Sequence, residues 1–418
     1  MRTLFHSCRV VTPRDAGRPL SGKEQGQVAV IEDAALLVED GRVLAVGPHA
    51  EVAALPDSSG VAGVDLGGAC VVPGFVDPHT HMCFAARREE EFGMRLAGKS
   101  YLDILAQGGG ILSSVKAVRA ASDDELLAMA RQNVMNALAG GTTTVEIKSG
   151  YGLDTETELR MLRCIKKLRE TSPLDVVATF MGAHAIPMEY KGRSHEFVEL
   201  IISEMLPAIA ESNLATFCDI FCETGVFSVD ESRAVLLAAR DKGFRLKIHA
   251  DEVDDLGGAG LAGEVAAISA EHLLAAGDPG LAAMAESGTI AVLLPATAYS
   301  LRKPYARARR MVDLNVPVAL ATDCNPGSCF CESMPFVMGL AVLGMGMSPE
   351  EALVGCTLNA AYAIGAESYA GSLEKGKNAD FLVLDGKTPA AVPYHAGGHS
   401  IARVYKRGKL VAQDGHLV

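Results

Sequence analysis

From Pro73 to His81 the chain reads PGFVDPHTH, a stretch that closes on two histidines one residue apart. The apolar run Cys70, Val71, Val72 leads into it, and together they predict a buried strand from Cys70 to Val76. Residues i and i+2 of a strand face the same side, so His79 and His81 aim two imidazoles at one point. Neutral imidazole is the commonest transition-metal ligand, which makes an H-x-H pair at a strand end half of a candidate metal site. A hydrogen-bonded pair beside a turn has the same sequence, and the downstream residues must decide between the two.

Downstream, short apolar runs alternate with helical stretches, the pattern of a parallel α/β fold. After Cys70 to Val76, the predicted strands are Thr142 to Ile147, Asp175 to Met181, Phe217 to Phe221, Phe244 to Ile248, Val265 to Ala270, Thr289 to Leu294 and Val316 to Ala321. Helices fall between them. Ser122 with Glu125 forms a capping-box pattern, Gly140 and Gly141 can end that helix, and Thr155 with Glu158 repeats the pattern. Ser348 and Pro349 open a helix that Gly365 can close. About eight strand and helix units match a (β/α)8 TIM barrel better than an open sheet.

The two ends of the chain read differently. Ala35 to Gly47 carries Asp40-Gly41 between apolar runs, and Ile401 to Ala412 carries Arg407-Gly408 in the same setting; both are hairpin signals. Two strands alone are marginal in water, so both ends are expected to join in one small β-sandwich domain. The expected division is 1–67 plus 371–418 for that domain and 68–370 for the barrel.

A chain of 418 residues with 49% apolar content can bury a large core. Its formal charge of −13 opposes binding to nucleic acid or an anionic membrane. The basic cluster Arg302, Lys303, Arg307, Arg309, Arg310 reads as a solvated face. None of the 10 cysteines forms a C-x-x-C pair; they are expected to be buried thiols of a soluble, cytoplasmic protein. Neither a signal-type apolar segment nor a run of about 18 apolar residues is present.

In such a barrel the active site lies at the C-terminal ends of the strands. His79 and His81 follow strand one, Lys148 to Tyr151 strand two, His184 strand three, His249 with Asp251 and Glu252 strand five, Glu271 and His272 strand six, and Asp323, Asn325, Gly327 and Ser328 strand eight. Singly, each histidine reads as a satisfied core residue and each acid as a cap or loop charge. One rim collecting them all points to a metal site. His79, His81, His249 and Asp323 offer three nitrogens and one oxygen, which suits zinc or iron and leaves room for a water. A bound metal lowers the pKa of that water by about nine units. Glu252 is the candidate base that shuttles its proton. His272 lies across the metal, able to polarise a substrate oxygen or orient the water.

These residues resemble the amidohydrolase superfamily, which carries H-x-H after strand one, His after strands five and six, and Asp after strand eight. Its binuclear branch has a carboxylated lysine after strand four, where this chain has Cys222 and Glu223; Lys148 follows strand two. The resemblance therefore implies one metal ion per subunit, zinc with iron as the alternative. HTHMCFAARREEEFGMR, KSGYGL, GAHAIP, DIFCETGVF, KIHADE, SAEHL and TDCNPGS, beginning at His79, Lys148, Gly182, Asp219, Lys247, Ser269 and Thr322, resemble the imidazolonepropionase family.

That resemblance implies hydrolytic opening of 4-imidazolone-5-propionate, with Glu252, His272 and Asp323 catalytic. It also implies Arg88, Tyr151, His184, Glu252, Asn325, Gly327 and Ser328 as substrate contacts, and a homodimer. Arg suits the substrate's carboxylate arm because its fork grips bidentately; Arg87, beside Arg88, is the open alternative. Ser328 stands where some relatives have Thr. A deaminase acting on a nucleobase-like ring would share the metal ligands without needing that clamp, and a non-catalytic scaffold of the same fold would be expected to have lost them.

Overall fold

The computed structural model describes residues 1–99 and 109–418. Eight parallel strands follow one another around a nearly closed barrel: β5 (Phe75–Asp77), β6 (Thr142–Lys148), β7 (Asp175–Ala183), β8 (Phe217–Cys222), β9 (Arg245–Ala250), β10 (Ser269–His272), β11 (Ile290–Leu293) and β12 (Val318–Leu320). Between β5 and β12 the ring is completed just beyond the strands, where Asp323 N donates to His79 O at 3.1 Å and His81 N to Cys324 O at 2.9 Å. The seam of the barrel therefore runs through the predicted metal ligands.

Both termini build a second, mixed sheet of eight strands. Its N-terminal members are β1 (Arg2–Pro13), β2 (Val28–Glu39), β3 (Arg42–Pro48) and β4 (Ala62–Pro73); the C-terminal ones are β13 (Phe381–Leu384), β14 (Ile401–Lys406), β15 (Lys409–Gln413) and β16 (His416–Leu417). β13 pairs antiparallel with β4 and joins the two halves. Both predicted hairpins are present, with Asp40, Gly41, Arg407 and Gly408 all at positive φ as a two-residue turn requires. Strand alternation divides the side chains between two cores. Phe5, Leu36, Val71, Phe381 and Tyr405 form one cluster, with Phe381 stacked on Tyr405 at 4.5 Å, while Val72, Leu382 and Val404 join the barrel's core.

Three local expectations change. The run from Cys70 to Val76 is two strands: Cys70 to Pro73 ends β4, and only Phe75 and Val76 enter the barrel. Gly74 marks the crossing, because its N–H bonds Asp380 O in one sheet and the next residue's N–H bonds Gly141 O in the other. A Cβ at Gly74 would lie 2.3 Å from Thr143 Oγ1, which excludes any larger residue. The helix Thr155–Thr171 is capped by Asp154, whose side chain accepts from Thr157 N; Glu158 turns inward instead. The helix opened by Ser348 ends at Gly355, and a separate helix, Leu358–Ala363, precedes Gly365. The Ser122 capping box and the Gly140 stop are as expected.

A buried ion cluster ties the terminal sheet to the start of β7. Lys406 Nζ lies 2.6 Å from Asp175 Oδ2 and 2.5 Å from Asp380 Oδ2, with its side chain 3% exposed. Arg407 and Asn378 also bond Asp175. Removing one partner strands the others in a low-dielectric site. Lys406→Met is expected to cost about 3–5 kcal/mol in urea denaturation, far more than loss of an exposed ion pair such as Arg233 with Asp230.

Candidate metal centre and active site

β5, β7, β9, β10 and β12 each lead into predicted site residues at the same end of the barrel, and the histidine rings among them converge. His79 and His249 have centroids 4.5 Å apart, and His249 and His272 5.2 Å. His79 Nε2 is 3.5 Å and His81 Nε2 3.6 Å from Asp323 Oδ1, and His249 Nε2 is 3.4 Å from His81 Nε2. All five residues are buried. Both ring nitrogens of His79 and Nδ1 of His81 lack a hydrogen-bond partner, which is costly for buried polar atoms that nothing else satisfies. Burial, reinforced by neighbouring imidazoles and Lys148, holds His79, His81 and His249 well below the ordinary imidazole range. Neutral, orphaned nitrogens facing a carboxylate fit a divalent metal.

Beneath the histidines lies a charged layer. Asp219 Oδ1 is 3.1 Å from His249 Nδ1, and its other oxygen is 2.9 Å from Lys148 Nζ, which also bonds Glu146 at 2.7 Å. An imidazole that donates Nδ1–H to a carboxylate keeps its Nε2 lone pair free. Lys148 keeps its charge because Asp219 and Glu146 outweigh the burial that opposes it. Lys247 makes a parallel set, 2.8 Å from Ser269 Oγ and 3.0 Å from Glu271 Oε1. The sequence puts Lys148 and Glu271 at strand ends without revealing this paired layer. Its signal was present in β6, where Glu146 and Lys148 interrupt a buried strand at alternating positions, and such charges must be paired.

Glu252 and His272 stand together across the ring cluster, Oε2 to Nε2 at 3.7 Å. Burial, and then the like charge of Glu223, pushes Glu252 up to about 7. Glu223 in turn fixes that loop, accepting from Val253 N at 2.8 Å. Asp251 faces away and accepts from Gly258 N and Ala259 N, so it is structural. Asp323 is raised to about 6 by burial, with Thr297 Oγ1 donating to its Oδ2 at 2.6 Å. His272 and Asp323 both adopt positive φ, a strain that needs a rigid surround.

On the other side, His184 stacks on His81 at 4.8 Å, and Tyr151 packs on His184 at 5.2 Å. His184 Nδ1 faces Gly150 O at 3.0 Å, and burial lowers its pKa to about 4. Nδ1 is therefore the protonated nitrogen and Nε2 an acceptor. Asn325 holds its own turn, its Oδ1 accepting from Gly327 N at 2.9 Å and Ser328 N at 2.8 Å. Arg88 lies over that turn, whereas Arg87 is exposed and stacks on Phe330 at 4.6 Å. Cys324 and Cys329 are buried, and burial raises Cys324 above the ordinary thiol range.

The amidohydrolase family model matches residues 70–411. The chain is 59% identical to a protein named imidazolonepropionase from Syntrophobacter fumaroxidans over 99% of this chain and 97% of that one. It is 58% identical to one of the same name from Desulfotalea psychrophila, over 98% and 99%. Among solved structures, it is similar to an adenosine deaminase from Xanthomonas campestris with bound zinc, at TM-score 0.70 and 18% identity over 100% of this chain and 94% of that one. A triazine hydrolase variant gives TM-score 0.75 at 17% identity over 100% and 96%. At these identities the structural likeness concerns the fold alone.

The loop carrying Tyr151 hangs on Glu158, whose carboxylate accepts from Gly150 N at 3.0 Å, Gly152 N at 2.8 Å and Leu153 N at 2.9 Å. Glu158→Ala leaves these donors buried and unpaired, and should lower stability by at least about 3 kcal/mol in urea titration.

Proposed function

The chain belongs to the amidohydrolase family and, within it, to the imidazolonepropionases, and on that premise we propose how its rim residues divide the reaction. That reaction is the hydrolytic opening of 4-imidazolone-5-propionate to N-formimidoyl-L-glutamate in histidine degradation, cleavage of a cyclic amide at its C–N bond. His79, His81, His249 and Asp323 hold one metal ion, zinc by preference and iron as the alternative. The observation that carries this reading is the convergence of His79 Nε2 and His81 Nε2 on Asp323 Oδ1 at 3.5 and 3.6 Å, with His249 Nε2 3.4 Å from His81 Nε2. Such an ion, when bound, makes water acidic near neutral pH and puts positive charge beside a developing oxyanion.

Arg88 receives the carboxylate arm of the substrate. Tyr151 and His184 border the ring, His184 offering its Nε2 lone pair to a ring N–H. Asn325, Gly327 and Ser328 line the end of the molecule that becomes product. Glu252 accepts the proton of the attacking water and returns it to the ring nitrogen as the C–N bond breaks. A carboxylate held near 7 suits both halves of that transfer. His272 and Asp323 assist, His272 by orienting the water or steadying the oxygen that gains charge. Deaminases of the same fold have no use for the carboxylate clamp, and the near-full-length identity to imidazolonepropionases favours ring hydrolysis.

The further partner is a second copy of the chain. Phe336 and Leu343, 37% and 74% exposed on the helix Met334–Met345, together with Tyr299, whose ring lies 5.3 Å from that of Phe336, give apolar surface that suits a homodimer. Among the described residues no helix is long and apolar enough to cross a membrane, in keeping with a cytoplasmic enzyme of small-molecule metabolism.

Glu252→Gln should retain metal by elemental analysis and lose at least about 10²-fold in kcat; turnover equal to the parent would remove Glu252 from this role. Because the ionised form is the base, kcat/KM should fall as pH drops through the range near 7. Glu223→Gln removes a like charge and should move that acid limb to lower pH, read from a pH–rate profile.

A further inference from the structure

Arg88 does not meet the site with its whole guanidinium. Glu91, in the first turn of the helix Glu89–Leu96 that Arg88 precedes, takes one edge: Nε lies 3.0 Å from Oε1, and Nη2 2.7 Å from Oε2. A guanidinium has five N–H donors in a plane, and both its side edge and its end edge can grip a carboxylate. With the side edge occupied, the two hydrogens of Nη1 and the outer one of Nη2 have no hydrogen-bond partner among the described residues. Nη1 lies against Gly327, where an added Cβ would be 2.2 Å away. The free edge thus borders the turn that Asn325 holds together.

Glu91 is itself immobilised by groups other than Arg88. Gly110 N lies 3.2 Å from both of its oxygens, and Ser113 Oγ donates to Oε1 at 3.1 Å. Its side chain is only 12% exposed. Surface pairs at i,i+3 are ordinarily worth little and wander between rotamers. This one is half enclosed, bidentate and tied to a second segment of chain. On the turn side, Arg88 N donates to Pro326 O at 3.1 Å, and Arg95 donates to Gly327 O at 3.0 Å. The guanidinium is held between a fixed carboxylate and a fixed turn.

We propose that Glu91 is a positioning residue that occupies the side edge of Arg88 and so turns its end edge toward the substrate's carboxylate, setting selectivity for an anionic arm. The proposal rests on Arg88 being the carboxylate clamp. Glu91 contributes direction at the expense of some charge, because it partly neutralises the cation it aims. Its loss should therefore weaken the geometry of binding and leave the bond-breaking step alone, a rise in KM with little change in kcat.

The test uses the metal-loaded, full-length protein and two stable probes, 3-(imidazol-4-yl)propanoate and its carboxamide, with affinities measured by calorimetry. The parent should prefer the acid. Glu91→Gln should cut that preference at least about tenfold, since one of its amide atoms is a donor facing donors, and raise KM with kcat held within about twofold. Equal weakening of acid and amide, with metal content and melting temperature unchanged, would overturn the positioning role. A parent without preference, or an Arg88→Met variant that keeps it, would instead overturn the clamp. Should Glu91→Gln not fold, Glu91→Asp keeps the charge but is one methylene short of the bidentate reach; KM and acid preference equal to the parent's would again overturn the proposal.

Discussion

Two buried lysines carry the chemistry of this barrel without touching it. Lys148 and Lys247 sit fully enclosed among Glu146, Asp219 and Glu271, each within 2.7 to 3.0 Å of a carboxylate. An ion taken out of water costs several kcal/mol even after relaxation, so each charge is tolerable only with its partner in place. Asp219 bridges the two levels, one oxygen 3.1 Å from His249 Nδ1 and the other 2.9 Å from Lys148 Nζ. The histidines above stay neutral because burial, and then the neighbouring rings and the lysines below, disfavours positive charge on them. A ring of neutral nitrogens over a layer with one carboxylate in excess suits a cation.

Rigidity at the rim follows from the same economy of polar groups. Asp77 accepts from Thr322 N and Thr322 Oγ1, and Thr80 is bonded to Glu146 through both its N–H and its hydroxyl. These contacts cross between strands at the level where the loops begin. Asp323, next to Thr322, sits there in left-handed backbone that few residues adopt unaided. The barrel seam is also the ligand seam, because the hydrogen bonds that complete the ring connect His79 and His81 to Asp323 and Cys324. Closure of the fold and alignment of the site are one event.

Much of the architecture is legible in one dimension. Alternation of short apolar runs with capped helices is a local property, and so are Asp40-Gly41 and Arg407-Gly408, whose turn geometry forces a hairpin. The misreadings share a cause. Cys70 to Val76 looks like one strand because both parts are equally apolar, and only the crossing at Gly74 reveals that they belong to different sheets. Thr155 and Glu158 match a capping box, yet Asp154 serves as the cap, while Glu158 is drawn inward to three amides that have no other partner. Gly365 lies beyond a break between two helices that periodicity does not mark.

The order of the candidate site residues is legible in the sequence, since strand ends collect at one rim of a barrel and the polar residues at those ends are visible as departures from apolar runs. The sequence could not choose between Arg87 and Arg88, because neighbouring residues have equal composition and opposite directions. Tertiary structure separates them: Arg87 lies over Phe330 at the surface, and Arg88 lies between Glu91 and Gly327. It also supplied the layer of paired charges beneath the histidines. Whether a buried charge is satisfied depends on strands separated by tens of residues, and only the folded chain brings those strands within hydrogen-bond distance.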